Sequence, residues 1–208
     1  MSPSASDPSG GTAHDGVDPA WVARVAAGPP GAGGTRVVCV DGPAGSGKTT
    51  LAAALADGLA ALGPVLVVHG DDVYEGWPVV AGEPDRVTAF ATLANRLRRD
   101  LLDAWARGRT VEVPRWDWYV GAPGRPVRAA PPATVVLEGV GLAAAPLREL
   151  ASLTVWVEAD AVQRRARVLA RDGDAVAGEL DSWQRDEQEW HRLDGTRAAA
   201  DVRVSTSD

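Results

Sequence analysis

The segment Gly42-Pro-Ala-Gly-Ser-Gly-Lys-Thr49 matches the pattern G-x-x-x-x-G-K-[ST] at every fixed position. An apolar run, Thr35–Val40, precedes it, and an Ala/Leu-rich stretch, Lys48–Leu62, follows it. Glycines let a backbone approach a phosphate closely, and successive N–H groups then surround the anion at the positive end of a helix. In this strand–turn–helix context the motif predicts a phosphate-binding P-loop, which restricts the chain to an α/β fold.

Two side chains of this loop predict which phosphates are bound. Lys48, the only lysine of the chain, is expected to bridge the β- and γ-phosphates of a nucleotide, and the Thr49 hydroxyl to ligate Mg²⁺. We therefore expect ATP and Mg²⁺ as cofactors. The predicted nucleotide-binding residues are Gly42, Pro43, Ala44, Gly45, Ser46, Gly47, Lys48, Thr49 and Thr50.

Charge and cysteine content exclude several classes of function. The 208 residues carry 21 basic and 28 acidic side chains, whereas a protein that binds nucleic acid broadly needs a basic face. The single cysteine, Cys39, excludes an intrachain disulfide and a zinc site built from several cysteines. No apolar run approaches the roughly 20 residues of a membrane span, and no secretory signal pattern is present. The sequence predicts a cytoplasmic protein without nucleic-acid or membrane partners.

Apolar, β-branched runs alternate with helical patterns along the chain. This alternation predicts a P-loop NTPase three-layer α/β fold, in which a five-stranded parallel sheet is flanked by helices. The predicted strands are Thr35–Val40, Val65–His69, Thr110–Trp116, Thr134–Leu137 and Leu153–Val157, with a short last strand at Asp201–Val204. The predicted helices are Asp18–Ala27, Lys48–Leu62, Asp85–Arg107, Asp160–Arg171 and Gly178–Leu193; Gly70–Pro84 and Asp117–Pro132 are predicted loops.

The domain organisation is predicted to be simple. Residues 1–17 are expected to be a disordered tail, because their Ser, Pro, Gly, Asp and Thr side chains bury little apolar surface. Residues 18–208 are expected to form one domain. The helix Asp18–Ala27 is expected to pack on the sheet or on a second subunit, which leaves a homodimer open.

Carboxylates follow two of the predicted strands. Asp71 and Asp72 come directly after Val65–His69, and Glu138 follows Thr134–Leu137. The carboxyl ends of strands in an open α/β sheet face the ligand crevice, so these carboxylates are expected near the P-loop. His69 is interpreted as a strand-end histidine, and His191 as a surface histidine.

Short segments follow the P-loop in a definite order. They are Asp71-Asp72-Val73-Tyr74, Trp116-Asp117-Trp118, Glu138-Gly139, a helix with Asp160, Arg164, Arg167, Arg171 and Asp172, and finally Ala200-Asp201-Val202. From Thr35 to Val204 the chain thereby resembles the uridine kinase/phosphoribulokinase branch of the P-loop kinases, and most of all the small uridine-kinase-like proteins of actinobacteria. It differs from the family pattern at Asp72 and Val73, where the family has Ser and Phe, and at Trp116, where the family has Tyr.

The resemblance implies an ATP- and Mg²⁺-dependent phosphotransferase that moves the γ-phosphate to a hydroxyl of a small molecule, foremost a nucleoside. Asp71 would be the general base, while Asp72 would raise the pKa of Asp71, serve metal-bound water, or itself be the base. Glu138 would hold Mg²⁺ with Thr49, through water, or orient the acceptor. The implied acceptor-binding residues are Asp71, Asp72, Tyr74, Trp116, Asp117, Trp118 and Glu138.

The resemblance also implies an Arg-rich lid. Arg164, Arg167 and Arg171 recur at three- and four-residue spacing and so share one helical face. Guanidinium groups suit phosphate oxygens and stabilise transition-state charge, and a closed lid excludes water. These three arginines join Lys48 and Asp71 as the predicted catalytic residues.

Two other functions are compatible with the same motifs. One is a phosphotransferase that modifies an antibiotic or a metabolite, with the ATP half kept and the acceptor pocket changed. The other is a nucleotide-dependent regulatory protein without an acceptor. The chain has no [NT]-K-x-D segment of the kind that reads guanine, which argues against a GTP switch.

Overall fold

A computed structural model describes residues 17–207 of the chain. The strands are β1 (Arg36–Asp41), β2 (Val65–His69), β3 (Val111–Val113), β4 (Trp116–Asp117), β5 (Ala122–Pro123), β6 (Val127–Ala129), β7 (Thr134–Glu138), β8 (Ala151–Glu158) and β9 (Val202–Ser205). The helices are α1 (Pro19–Ala27), α2 (Lys48–Leu59), α3 (Gly70–Val73), α4 (Arg86–Leu97), α5 (Asp103–Ala106), α6 (Ala145–Arg148), α7 (Ala161–Asp172), α8 (Ala177–Asp194) and α9 (Thr196–Ala199). Of the predicted tail, only Val17 lies within the described residues.

Five parallel strands form the central sheet, in the order β2-β7-β1-β8-β9. The strand that leads into the P-loop, β1, is therefore central, with β7 on one side and β8 on the other. All five residues of β7 are buried, as expected for a strand covered on both faces. The predicted fold class, a five-stranded parallel sheet flanked by helices, is confirmed.

One predicted strand lies outside this sheet. The segment Thr110–Trp116 contributes β3, which pairs antiparallel with β6, and the fifth strand of the main sheet is the short last strand β9. Glu112, Pro114 and Arg115 explain the difference, because a strand buried on both faces has no place for charged side chains or proline. The predicted loop Asp117–Pro132 instead holds β5 and β6, two strands of small antiparallel pairs.

Side chains of β1 alternate between two hydrophobic clusters. Val37 and Cys39 belong to the cluster that includes α4 and α8, whereas Val38 and Val40 belong to the cluster that includes α1 and α2. Helices thus cover both faces of the sheet, which explains why the strand is apolar throughout. In residues 17–207 no helix combines the length and apolarity that a membrane crossing requires.

The N-terminal helix α1 packs on its own chain. Asp18 caps it by accepting a hydrogen bond from the Ala20 amide at 2.8 Å, and Val25 is fully buried in the cluster with α2. Arg24 makes an ion pair with Asp201 at 2.5 Å, beside β9. The helix was predicted to pack either on the sheet or on a second subunit, and it packs on the sheet of its own chain. The homodimer stays a prediction.

The helix predicted at Asp85–Arg107 is present but has a π-helical turn, Arg98–Leu102, between α4 and α5. Leu93, Leu97, Leu101 and Trp105, predicted as its apolar face, are all buried. Three short helices were not predicted: α3 begins inside the predicted loop Gly70–Pro84, and α6 and α9 have four residues each. One turn of helix leaves little periodicity in a sequence.

We expect the substitution Leu93→Ala to lower the free energy of unfolding by about 2–5 kcal/mol, because the side chain is 2% exposed and its loss leaves a cavity. Leu193→Ala, at a position 57% exposed, is the matched control and should change it by less than about 0.5 kcal/mol. Urea denaturation of both variants measures the difference. Equal losses would contradict the assignment of the core.

Candidate active site

The P-loop turns tightly between β1 and α2. Gly42, Gly45 and Gly47 have φ angles of 148°, 78° and 92°, a region that side chains disfavour. A Cβ on Gly42 would lie 2.0 Å from the Val157 carbonyl oxygen, and one on Gly45 would lie 2.3 Å from the Arg164 carbonyl oxygen. Both positions therefore require glycine for space as well as for conformation.

The N-terminus of α2 is open to an anion. Its N-cap residue is Gly47, and within the described chain no side chain caps this end. The first N–H groups of a helix have no partner inside the helix, and they carry the positive end of its dipole. Lys48 lies in the same turn, is 8% exposed, and donates from Nζ to the Pro43 carbonyl at 3.0 Å. This combination suits phosphate.

Thr49, Glu138 and His69 form a hydrogen-bonded group beside the loop. The Thr49 hydroxyl donates to Glu138 Oε1 at 3.3 Å, and His69 Nδ1 lies 2.6 Å from the same oxygen. Glu138 is buried, and its hydrogen bond raises the pKa of His69, against the lowering effect of burial. A hydroxyl and a carboxylate are hard oxygen ligands, so the donor set that was predicted for Mg²⁺ fits that ion.

Asp71 projects into the cavity next to this group. Its side chain is 65% exposed to the solvent of the cavity, although protein surrounds it on several sides. Burial within these walls raises the pKa of Asp71; the charges of Arg171 and Lys48 lower it, and that of Glu138 raises it. Arg171 Nη1 lies 4.0 Å from the Asp71 carboxylate. The net effect is a carboxylate with raised affinity for a proton.

The side chain of Asp72, unlike that of Asp71, lies outside the cavity. Its carboxylate accepts a hydrogen bond from Arg115 at 3.1 Å, and it does not line the cavity. The like charges that raise the pKa of Asp71 include Glu138 and Asp172, which lie on other elements of the fold.

A single cavity of about 1240 Å³ joins the P-loop to the carboxyl ends of β2 and β7. The structure brings twelve of the predicted site residues together around it. They are Ala44, Gly45, Gly47, Lys48, Thr49, Thr50, Asp71, Tyr74, Trp118, Glu138, Arg167 and Arg171. The other three predicted residues of the P-loop, Gly42, Pro43 and Ser46, do not line the cavity.

Aromatic side chains form one wall of the cavity. The residues that line it are Tyr74, Trp77, Trp118 and Trp183. The ring centroid of Trp77 lies 5.8 Å from the ring centroid of Trp118 and 5.9 Å from that of Trp183. The Tyr74 hydroxyl donates to the Val140 carbonyl at 2.7 Å, and Trp118 Nε1 donates to the Asp71 carbonyl at 2.7 Å. The rings therefore present mainly their faces and edges to the cavity.

The three predicted lid arginines do not share one role. Arg167 and Arg171 line the cavity, and Arg167 also donates to the Thr206 hydroxyl at 3.0 Å. Arg164, predicted to be catalytic, lies outside the cavity wall and bonds to Glu187 at 3.1 Å and to the Ala44 carbonyl at 3.1 Å. The P-loop packs at Gly45 directly on the backbone of Arg164.

Two predicted acceptor-binding residues also lie outside the cavity wall. Asp117 accepts hydrogen bonds from the amides of Tyr119 and Val120, each at 3.0 Å, and so stabilises the turn of the β4–β5 hairpin. Trp116 packs against Gly76 instead. Aspartate readily accepts from amides two residues ahead, which is why a turn residue and a binding residue look alike in sequence.

Sequence reasoning missed several residues that hold the site. Asp41 is fully buried and accepts hydrogen bonds from the Gly42 amide at 2.7 Å and the Ala143 amide at 2.9 Å. His191, interpreted as a surface residue, lies 3.1 Å from the same carboxylate and is mostly buried. A carboxylate directly before the first glycine was a signal that was available. Trp77 and Trp183 carried no such signal.

No protein-family profile and no curated protein sequence matches this chain. Among solved structures, that of a possible uridine kinase from Bacillus stearothermophilus matches with a TM-score of 0.62 and 21% identity, over 88% of this chain and 94% of the other. A provisionally assigned fructose transport system kinase from Silicibacter sp. TM1040 matches with a TM-score of 0.59 and 20% identity, over 89% and 97%.

At these identities the likeness shows a shared fold. The matches extend over most of each chain. The resemblance predicted from the order of the motifs is thereby confirmed for the fold. This chain therefore shares its fold with the possible uridine kinase from Bacillus stearothermophilus.

Proposed function

We propose that the protein is an ATP- and Mg²⁺-dependent phosphotransferase that moves the γ-phosphate to a hydroxyl group of a small molecule. One observation carries this proposal: the uncapped N-terminus of α2, the Thr49–Glu138 pair and Asp71 all border the same cavity. A protein that only bound a nucleotide would have no use for a carboxylate of raised pKa at that place.

Binding of the donor follows from the P-loop. The N–H groups at the start of α2 and the Lys48 amine would hold the phosphates, with the amine leaving the Pro43 carbonyl for a phosphate oxygen. Thr49 and, through water, Glu138 would hold Mg²⁺, which neutralises charge on the phosphates when bound. His69 keeps the Glu138 carboxylate in place.

Asp71 would accept the proton of the acceptor hydroxyl. Its raised pKa makes it a stronger base than an ordinary aspartate. Arg171 lies beside it, and Arg167 lines the same cavity, so that both guanidinium groups can stabilise charge on the transferred phosphate. Positioning and electrostatic stabilisation are the main needs of phosphoryl transfer.

We propose a nucleoside as the acceptor. The wall of Tyr74, Trp77, Trp118 and Trp183 suits a flat ring, because aromatic rings pack well in stacked and edge-to-face arrangements. The possible uridine kinase of the same fold supports this choice at the level of analogy.

An acceptor screen tests the function directly. Purified protein with Mg-ATP is incubated with nucleosides, with fructose and with hydroxyl-bearing antibiotics, and the phosphorylated product is identified by mass spectrometry. We expect a phosphorylated nucleoside. Phosphorylated fructose or antibiotic alone would refute the nucleoside but keep the phosphotransferase, and hydrolysis of ATP without any phosphorylated acceptor would contradict both.

Removing the charge of Lys48 should remove donor binding. We expect Lys48→Ala to weaken Mg-ATP binding by at least about tenfold, because the loop loses its only buried cation; a contact with a charged group is worth about 1.5–3 kcal/mol. Isothermal titration calorimetry measures the affinity. Arg99→Ala is a control on an exposed cation paired with Asp100. Unchanged affinity in Lys48→Ala would refute the assignment of the P-loop.

Asp71→Asn should lower kcat by about 10²–10⁴-fold with little effect on Mg-ATP affinity, since general base catalysis typically contributes that much. Asp72→Asn is the matched control and should retain most of the turnover, because Asp72 faces Arg115. If the control loses the turnover and Asp71→Asn retains it, the base is Asp72.

The pH dependence gives an independent check. Only ionised Asp71 accepts a proton, so kcat/KM should fall as the pH drops through the pKa of Asp71. Because the pKa of Asp71 is raised, this fall should be centred above the ordinary value of 3.8. A pH–rate profile of the wild-type protein that is flat down to that value would contradict the role of Asp71.

A further inference from the structure

Glu187 is a buried carboxylate for which the proposed reaction has no use. It lies on α8 and is 1% exposed. Its Oε2 accepts hydrogen bonds from the Ala44 amide at 2.8 Å and from Trp183 Nε1 at 3.0 Å, and its Oε1 accepts one from Arg164 at 3.1 Å. One side chain therefore contacts the P-loop, the aromatic wall of the cavity and helix α7.

Stability does not explain this arrangement well. Desolvation of two buried charges offsets most of their attraction, and well-packed apolar side chains of similar volume are often as stable. Arg164 even has a buried Nε without a hydrogen-bond partner in the described part of the chain. The ion pair instead fixes the backbone of the P-loop. Glu187 accepts a hydrogen bond from the Ala44 N–H, and Arg164 donates one to the Ala44 carbonyl at 3.1 Å.

The contact with Trp183 extends this geometry to the acceptor side. The indole of Trp183 lines the cavity, and its ring centroid lies 5.6 Å from that of Tyr74. Its N–H bonds to the same Glu187 oxygen as the Ala44 amide, so a displacement of either donor changes the bond to the other. Bonds to a charged acceptor are the stronger kind, which favours such transmission.

We propose that Glu187 is a positioning residue that couples the conformation of the P-loop at Ala44 to the tryptophan wall of the acceptor pocket and to helix α7. This inference rests on nucleotide binding at the P-loop, as in the proposed function. Occupation of the loop then alters the packing of Trp183, and by thermodynamic reciprocity an acceptor against Trp183 alters the affinity of the loop for nucleotide.

The indole N–H of Trp183 is a direct reporter of this coupling. The chain has eight tryptophans, whose indole signals are resolved by ¹⁵N-tryptophan labelling and NMR, and Trp183→Phe assigns the one of interest. The probe is Mg-ADP at saturation, with occupancy measured by calorimetry. In wild-type protein we expect Mg-ADP to shift the Trp183 signal, while the signal of Trp105, which bonds to the Ala129 carbonyl, stays in place.

The decisive variant combines Arg164→Met with Glu187→Leu, which replaces the ion pair by apolar side chains and removes all three bonds of Glu187. We expect it to bind Mg-ADP and to lose the shift at Trp183. Glu189→Gln, on the same helix but solvent-exposed, is the matched control and should keep the shift. If the double variant does not fold, Glu187→Asp replaces it, because the shorter side chain cannot reach Ala44 and Trp183 together.

Two results would overturn the proposal while Mg-ADP is bound. One is a Trp183 signal that does not respond in the wild-type protein, and the other is an equal response in the double variant, which would mean direct contact with the nucleotide. Absence of Mg-ADP binding to the wild-type protein would instead refute the proposed function, and this inference with it. Calorimetry distinguishes these cases.

Discussion

The parallel pairing of β7 with β1 on one side and β2 on the other determines where the polar groups of the cavity lie. In this register Val40 lies opposite Glu138, and Glu138 lies opposite His69, so that three strands end at the same level. The P-loop begins after β1 and α3 begins after β2, so both start beside Glu138 at the end of β7. A slip of one residue in β7 would turn the Glu138 side chain to the other face of the sheet.

Two buried carboxylates accept hydrogen bonds from backbone amides of the P-loop. Asp41 binds the Gly42 amide at one end of the loop, and Glu187 binds the Ala44 amide two residues later. Backbone amides that would otherwise be buried without partners are satisfied, which matters because each such loss costs about 1–3 kcal/mol. Within residues 17–207 no side chain caps the first turn of α2, so its N–H groups are left for an anion.

Much of this arrangement could be predicted from the sequence. The P-loop is a local motif, and the buried strands are continuous apolar runs, so both are visible without tertiary information. The rule that strand ends face the ligand crevice placed Asp71 and Glu138 correctly at the cavity. It holds because it depends on topology alone.

The remaining errors concern the directions of side chains. Arg164 and Arg167 share a helical face by spacing, but packing of α7 between the loop and α8 sends one to Glu187 and leaves the other at the cavity. Asp117 stabilises a turn because the hairpin β4–β5 closes directly after it. The role of Trp183 depends on α8 crossing over the cavity. The contacts of Arg164 and Trp183 join distant parts of the chain, so a single sequence shows no local pattern for them, and in sequence the turn role of Asp117 looks like a binding role.

The scarcity of amines in this chain has a practical consequence. Lys48 carries the only side-chain amine, and that amine lies in the wall of the cavity with a hydrogen bond to Pro43. An amine-selective acylating reagent therefore has one side-chain amine to react with, apart from the α-amino group, and that amine belongs to the residue that would hold the phosphates. Protection of Lys48 from acylation would report occupancy of the cavity by any ligand, before its chemical identity is known.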